Sequence, residues 1–235
     1  MTSRHRRTAA ISLLTLVTLV PTLAGCSGDD ATGKAGSSTT AATKGSATGS
    51  ASSIPTFSST PSAEWGPLAA CPIEPESADP GGTPADEGVD GVVQFGKLSQ
   101  DHVDPCVDYP VHPAVGGAHF RVWANCGFYT APVPEMAAVH VLEHGGVWIA
   151  FDPTLDAAEI RTIRAAADAT THVLASPYPG LTSKVVMSAW SRQLRLDSTS
   201  DPRFQTFIDT YLQGPNTPEL GAACDGGIGT PEPKA

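Results

Sequence analysis

A tract of small side chains, residues 27–62, limits which part of the chain can fold. It consists almost entirely of Ser, Thr, Gly and Ala, as in the stretch GKAGSSTTAATKGSATGSASS. Such side chains bury too little apolar surface to offset the entropy that is lost when a backbone becomes ordered. We therefore predict a disordered linker over 26–62 and one globular domain over 63–235.

The N-terminus has the composition of a secretory signal. A basic start is followed by an apolar run, Ile11–Val20, which is too short to span a bilayer. The run leads into LAGC, and small residues directly before Cys26 resemble the bacterial lipobox. We predict that residues 1–25 are a lipoprotein signal peptide and that Cys26 carries the acyl chains, palmitate among them. The alternative is an ordinary signal peptide with Cys26 present by chance.

These features predict where the mature protein is located in the cell. It would be anchored through Cys26 to the lipid bilayer, on the extracytoplasmic face of the cell membrane. Removal of the signal, with Arg4, Arg6 and Arg7, reduces the basic residues from 14 to 11 against 24 acidic ones, a formal net charge of −13. Nucleic acid is therefore excluded as a partner, because its binding depends on Lys and Arg neutralising phosphates.

The predicted domain contains four cysteines: Cys71, Cys106, Cys126 and Cys224. Outside the cytoplasm an even number of cysteines favours disulfides, here two. Four cysteines allow three pairings, and their spacing alone does not choose among them.

Hydrophobic periodicity predicts a small domain of mixed secondary structure. The predicted elements are helices over 133–146, 156–169 and 201–212, strands over 91–96, 147–151 and 172–176, and one bent or two short strands over 184–197. The fold class is therefore α+β: a disulfide-stapled single domain with a short mixed or antiparallel sheet of three or four strands and about three helices.

Cap residues mark the beginnings of two of these helices. Asp156 with Glu159 three residues later resembles a capping box. Asp201 is predicted to cap the last helix, with Pro202 in its first position.

Histidines are concentrated in one part of the domain. Five lie between residues 102 and 144: His102, His112, His119, His140 and His144. On a helix, positions 140 and 144 share a face and Glu143 borders it. We predict that His119, His140, Glu143 and His144 can bind one metal ion, with His102 as an alternative to His119. Imidazole and carboxylate ligands suit Zn²⁺ or Cu²⁺.

The leading interpretation is a non-enzymatic lipoprotein that binds a metal or small ligand through this cluster. A first alternative is a metal-dependent hydrolase, since H-x-x-E-H matches the inverted zinc-peptidase motif with Glu143 as general base. A second is an interaction module in which the histidines are structural. No catalytic residue is predicted, because phosphate-loop, dinucleotide and nucleophile-elbow motifs are absent from the sequence.

Three sequence blocks resemble the bacterial family catalogued as domain of unknown function 3105. They are Tyr109, Pro113, Gly117 and His119 in the first block, CGFY (126–129) with VHVLEHGGVWIAFDP (139–153) in the second, and SPYPGL (176–181) with AW (189–190) in the third. The resemblance covers about residues 100–225. It implies a membrane-anchored or secreted protein, and it transfers a fold unit without catalytic residues.

The resemblance also bears on the cysteines and on one histidine. Cys126 and a late cysteine such as Cys224 look shared with the family, which implies the pairs Cys126–Cys224 and Cys71–Cys106. The family has two prolines where this chain has His112–Pro113, which argues against His112 as a ligand.

Overall fold

The computed structural model describes residues 54–85 and 88–235. The predicted signal peptide, the predicted lipidation site Cys26 and most of the predicted linker lie outside the described residues. No helix within the described part of the chain is both long enough and apolar enough to cross a membrane.

Within residues 54–85 and 88–235 the domain forms three α-helices, one 3₁₀ helix and seven strands. The helices are α1 (Glu135–Glu143), α2 (Ala157–Ala169), α3 (Arg203–Tyr211) and the 3₁₀ helix Ala63–Ala70. The strands are β1 (Thr83–Pro84), β2 (Val93–Gln94), β3 (Gly127–Phe128), β4 (Val147–Phe151), β5 (Val173–Pro177), β6 (Val185–Ala189) and β7 (Arg192–Leu196).

All seven strands form one mixed sheet in the order β1-β2-β7-β6-β4-β5-β3. β3, β5 and β4 run parallel to one another, and the remaining pairs are antiparallel. The predicted disulfide-stapled α+β class is confirmed. The stretch 184–197, predicted as one bent strand or two short ones, forms the β6–β7 hairpin.

The central strand β4 is buried on both faces of the sheet. Val147, Ile149 and Phe151 face a core that includes residues of α2 and α3, whereas Trp148 and Ala150 face a core that includes α1. Because side chains alternate along a strand, these five consecutive apolar residues supply both cores. The sheet thus separates α1 from α2 and α3.

The two cap predictions have different outcomes. The Asp156 carboxylate accepts hydrogen bonds from the backbone N–H groups of Ala158 and Glu159, at 2.8 and 3.0 Å, as a capping residue does. Asp201 is not the residue before α3, because Pro202 takes that place. Its carboxylate still accepts a hydrogen bond from the N–H of Arg203 at 2.9 Å, so the predicted cap lies one residue before the observed one.

Two features differ from the sequence prediction. The described residues form seven strands instead of three or four. β2 lies within the predicted strand 91–96, and 184–197 forms two strands, whereas β1 and β3 have only two residues each and carry no readable alternation. Phe57, placed in the linker, packs its ring 5.4 Å from that of Phe151. Contact with the domain is therefore already present before residue 63, at an aromatic side chain inside the tract 27–62.

Two disulfides and a set of backbone hydrogen bonds fix the irregular segments. The sulfur atoms of Cys71 and Cys106 are 2.08 Å apart, and those of Cys126 and Cys224 are 1.91 Å apart. These are the pairs that the family resemblance implies. The C-terminal segment then runs beside β3, where the N–H of Glu232 donates to the Phe128 carbonyl oxygen at 2.7 Å.

Candidate metal centre

Helix α1 carries two of the predicted ligands at its C-terminal end. Every residue of this helix is buried, including His140 (3% exposed) and Glu143 (2% exposed). Positions three apart share a helix face, so the imidazole and the carboxylate project to the same side. Burial of such polar side chains requires partners for their nitrogen and oxygen atoms.

A loop with two adjacent glycines brings a third ligand to this face. Gly116 and Gly117 have φ angles of 137° and 120°, a backbone conformation that glycine adopts far more readily than other residues. His119 follows, and its backbone pairs with the chain around His102. The N–H of His119 donates to the Asp101 carbonyl oxygen at 3.0 Å, and the N–H of Val103 donates to that of His119 at 2.8 Å.

Four side chains converge at this point. One nitrogen each of His102, His119 and His140 and one oxygen of Glu143 all lie within 4.8 Å of one another. Four tetrahedral ligands at about 2.0–2.2 Å from an ion are about 3.3–3.6 Å apart. The widest pair must therefore close by about 1.2–1.5 Å around a bound Zn²⁺.

Hydrogen bonds to the backbone fix the orientation of the two buried imidazoles. Nδ1 of His119 lies 2.8 Å from the Gly117 carbonyl oxygen, and Nδ1 of His140 lies 2.7 Å from that of Phe120. A carbonyl oxygen only accepts, so each Nδ1 carries the proton and each Nε2 keeps a free lone pair. Metal-binding histidines are held by the same kind of bond.

The buried polar atoms at the centre of the cluster lack hydrogen-bond partners among the described residues. His119 Nε2 and Glu143 Oε2 are 2.9 Å apart, yet their geometry is not that of a hydrogen bond, and both atoms are left unsatisfied. His102 Nε2 is 3.8 Å from the same carboxylate oxygen. Unsatisfied buried donors and acceptors are costly, and a cation placed among these atoms would satisfy them.

Burial sets the protonation of the cluster. It lowers the pKa of His140 to about 3 and also lowers the pKa of His119, so both imidazoles are neutral at pH 7. Burial, together with the charge of Glu219, raises the pKa of Glu143 to about 7. The histidines are therefore already in the form that binds metal, whereas the carboxyl group must lose its proton first.

His144 directly follows α1, and its ring centroid is 4.6 Å from that of His140. It nevertheless lies outside the group of four converging side chains. Its Nδ1 is 2.6 Å from the Ala223 carbonyl oxygen, and its Nε2 is 3.5 Å from a carboxylate oxygen of Glu219. His144 thus connects the end of α1 to the C-terminal segment. The four converging residues include both His119 and His102, which was predicted as an alternative to His119, and they do not include the predicted ligand His144.

His112 belongs to a different network. Its Nδ1 is 2.7 Å from Glu135, whose carboxylate also accepts the backbone N–H of Ala114 at 3.0 Å and contacts the Tyr178 hydroxyl at 2.9 Å. This buried network connects the beginning of α1 to the preceding loop.

A family model described as "Protein of unknown function (DUF3105)" matches residues 102–226, more than half of the chain. The chain belongs to this family. Neither the curated proteins nor the solved structures contain a match. The matched region begins at His102 and includes all four converging residues, so the cluster lies entirely within the part of the chain that the family model matches.

Proposed function

We propose that this DUF3105 protein is a lipid-anchored, extracytoplasmic protein that binds one divalent transition-metal ion, Zn²⁺ or Cu²⁺. The ligands are Nε2 of His119, Nε2 of His140, a carboxylate oxygen of Glu143 and an imidazole nitrogen of His102. The protein acts as a binding protein, attached to the membrane through acylated Cys26.

The observation that carries this proposal is the convergence of three imidazoles on one carboxylate, within 4.8 Å. Two further features support it. The Nδ1 atoms of His119 and His140 are occupied by backbone carbonyls, which directs the free lone pairs inward. Nitrogen and oxygen ligands without sulfur suit Zn²⁺ and Cu²⁺ better than Cu⁺.

The membrane anchor rests on the sequence alone. The apolar run that leads to LAGC is typical of a lipoprotein signal, and the small-residue tract supplies a tether between lipid and domain. A tethered domain would bind its metal ion close to the outer surface of the membrane.

The geometry favours a binding function over the two alternatives. Dispersed histidines would support a pure interaction module, and these histidines converge. The inverted zinc-peptidase motif requires both helical histidines on the ion, whereas His144 lies outside the four converging side chains and its Nε2 faces Glu219. We therefore propose no hydrolytic activity.

Calorimetric titration of the purified protein with Zn²⁺ and with Cu²⁺ at neutral pH tests the proposal. We expect one ion per chain with a dissociation constant tighter than about 10 μM for at least one of the two metals. His140→Ala should abolish stoichiometric binding, because it removes a buried ligand.

His172→Ala is the matched control, because His172 lies outside the cluster and its Nε2 is 2.9 Å from the Ala222 carbonyl oxygen. This variant should bind metal as the unmodified protein does. Absence of binding for both ions in the unmodified protein would make the clustered histidines structural.

A further inference from the structure

The four converging side chains differ sharply in their access to solvent. The side chains of His119 and Glu143 are 0% and 2% exposed, and His140 is 3% exposed as a residue. The side chain of His102 is 45% exposed. Solvent therefore reaches this centre on the side where His102 stands.

The four side chains also differ in how firmly they are held. Nδ1 of His119 and Nδ1 of His140 are each bonded to a backbone carbonyl, and Glu143 belongs to a helix that is buried throughout. The imidazole of His102 contacts the cluster mainly through its ring, stacked at 4.8 Å on that of His140. No backbone carbonyl among the described residues fixes its ring nitrogens.

We propose that His102 is a replaceable ligand and that an imidazole-bearing ligand from outside the chain takes its place on the metal ion. This inference rests on the metal centre proposed above. The three buried ligands would keep the ion while the fourth position exchanges. The centre would thus form a ternary complex of protein, metal and an external histidine side chain, as metal transfer between two proteins requires.

The exchange balances without further reactants. The bond from the metal to a ring nitrogen of His102 breaks, and a bond to a ring nitrogen of the incoming neutral imidazole forms. No proton and no electron moves, and the coordination number is the same before and after.

Charge at the opening favours this class of ligand. The chain has a formal net charge of −10, and the exposed Asp101 directly precedes His102. Anionic ligands such as free carboxylates are repelled there, whereas a neutral imidazole is not. A second carboxylate on the ion would also face Glu143 across it.

Rescue with free imidazole tests the proposal. In His102→Gly the missing side chain leaves an opening to solvent next to three intact ligands. Its Zn²⁺ affinity should fall by at least about 10-fold, the smaller loss typical even of residues that only orient a ligand. Excess imidazole should restore part of this affinity, measured by competition against a colorimetric chelator.

The control gives the opposite sign. In His140→Gly, whose missing ligand is buried, imidazole should only compete for Zn²⁺ in solution and so lower the apparent affinity. Circular dichroism of each variant checks its fold, and His102→Ala serves as a second variant with the same expected rescue.

The outcomes separate the two proposals. Loss of affinity with imidazole rescue in the His102 variants supports a replaceable ligand. Unchanged affinity in these variants, or a further decrease on adding imidazole, overturns it while leaving the metal centre intact. Failure of the unmodified protein to bind Zn²⁺ or Cu²⁺ overturns the metal centre itself.

Discussion

At the scale of single residues, the carboxyl group of Glu143 determines how metal binding depends on pH. Its pKa is raised to about 7, whereas that of His140 is lowered to about 3. We therefore expect the metal affinity to fall as the pH drops through about 7, because protonation of Glu143 competes with the ion. Protonation of His140 does not compete until the pH is far lower.

Glu143→Gln checks which proton is responsible. This variant keeps an oxygen ligand of similar shape but has no proton to release, so its affinity should be weaker and nearly independent of pH around neutrality. Titrations above and below pH 7 provide the comparison. An equally steep pH dependence in Glu143→Gln would assign the competing proton to a histidine.

Part of this cluster was predictable residue by residue. Helical spacing places His140 and Glu143 on one side, and the glycines before His119 predict a close approach of that loop. Helical spacing does not determine the orientation of an imidazole ring. For His144 the orientation is set by the contact of Nδ1 with the Ala223 carbonyl oxygen. His102 joins the cluster because its backbone pairs with that of His119. No sequence pattern predicts this tertiary contact.

At the scale of elements, the loop before His119 depends on Gly116. A Cβ at this position would lie 2.6 Å from a methyl carbon of Leu98 and 3.2 Å from the ring of Trp190, and its φ of 137° is unfavourable for other residues. We expect Gly116→Ala to destabilise the domain by about 1–3 kcal/mol and to weaken Zn²⁺ binding by displacing His119.

Gly96→Ala is the matched control for this substitution. A Cβ at residue 96 would meet nothing within 4 Å, so stability and Zn²⁺ affinity should stay close to those of the unmodified protein. Urea unfolding and calorimetric titration measure the two quantities. If Gly116→Ala is less stable but binds Zn²⁺ with unchanged affinity, the conformation of this loop does not control metal binding.

The predictability of elements follows their length. β4 and α2 were predicted closely because five apolar residues in a row, or a capped amphipathic stretch, leave a pattern in the sequence. β3 has two residues and pairs in parallel with β5, whose partner residues Leu174 and Ala175 lie 47 positions later in the chain. Such pairing depends on the completed sheet, so local sequence does not reveal it.

At the scale of the whole molecule, the bridge between Cys126 and Cys224 closes the longer of the two loops. The sequence separation is 98 residues, for which the chain-entropy model gives about 4–5 kcal/mol of stabilisation. We expect Cys126→Ser to lower the melting temperature by on the order of 10 °C and to release one thiol, at Cys224.

Cys71→Ser is the comparison, because its bridge closes a loop with a separation of 35 residues. The same model predicts a loss smaller by about 1 kcal/mol. Thermal unfolding without reductant, together with thiol counting, measures both variants. Release of a thiol other than that of Cys224 from Cys126→Ser would refute the pairing.

The predicted attachment to the membrane concerns the whole chain as well. Cys26→Ser should abolish acylation and impair removal of the signal peptide, because the cysteine is both the acylated residue and the new N-terminus. Membrane fractionation with acyl labelling measures this. Undiminished labelling of the variant would remove the lipoprotein assignment.

The short strands at both edges of the sheet affect how one copy of the domain can associate with another. On one side β1 ends in Pro84, which has no N–H to offer a further strand. On the other, the C-terminal segment covers β3, with the N–H of Asn125 bonded to the Ile228 carbonyl oxygen and that of Glu232 to Phe128. Neither edge presents a continuous row of free backbone groups within the described chain. Edges of this kind disfavour the pairing of one sheet with another and so oppose aggregation through the sheet edges.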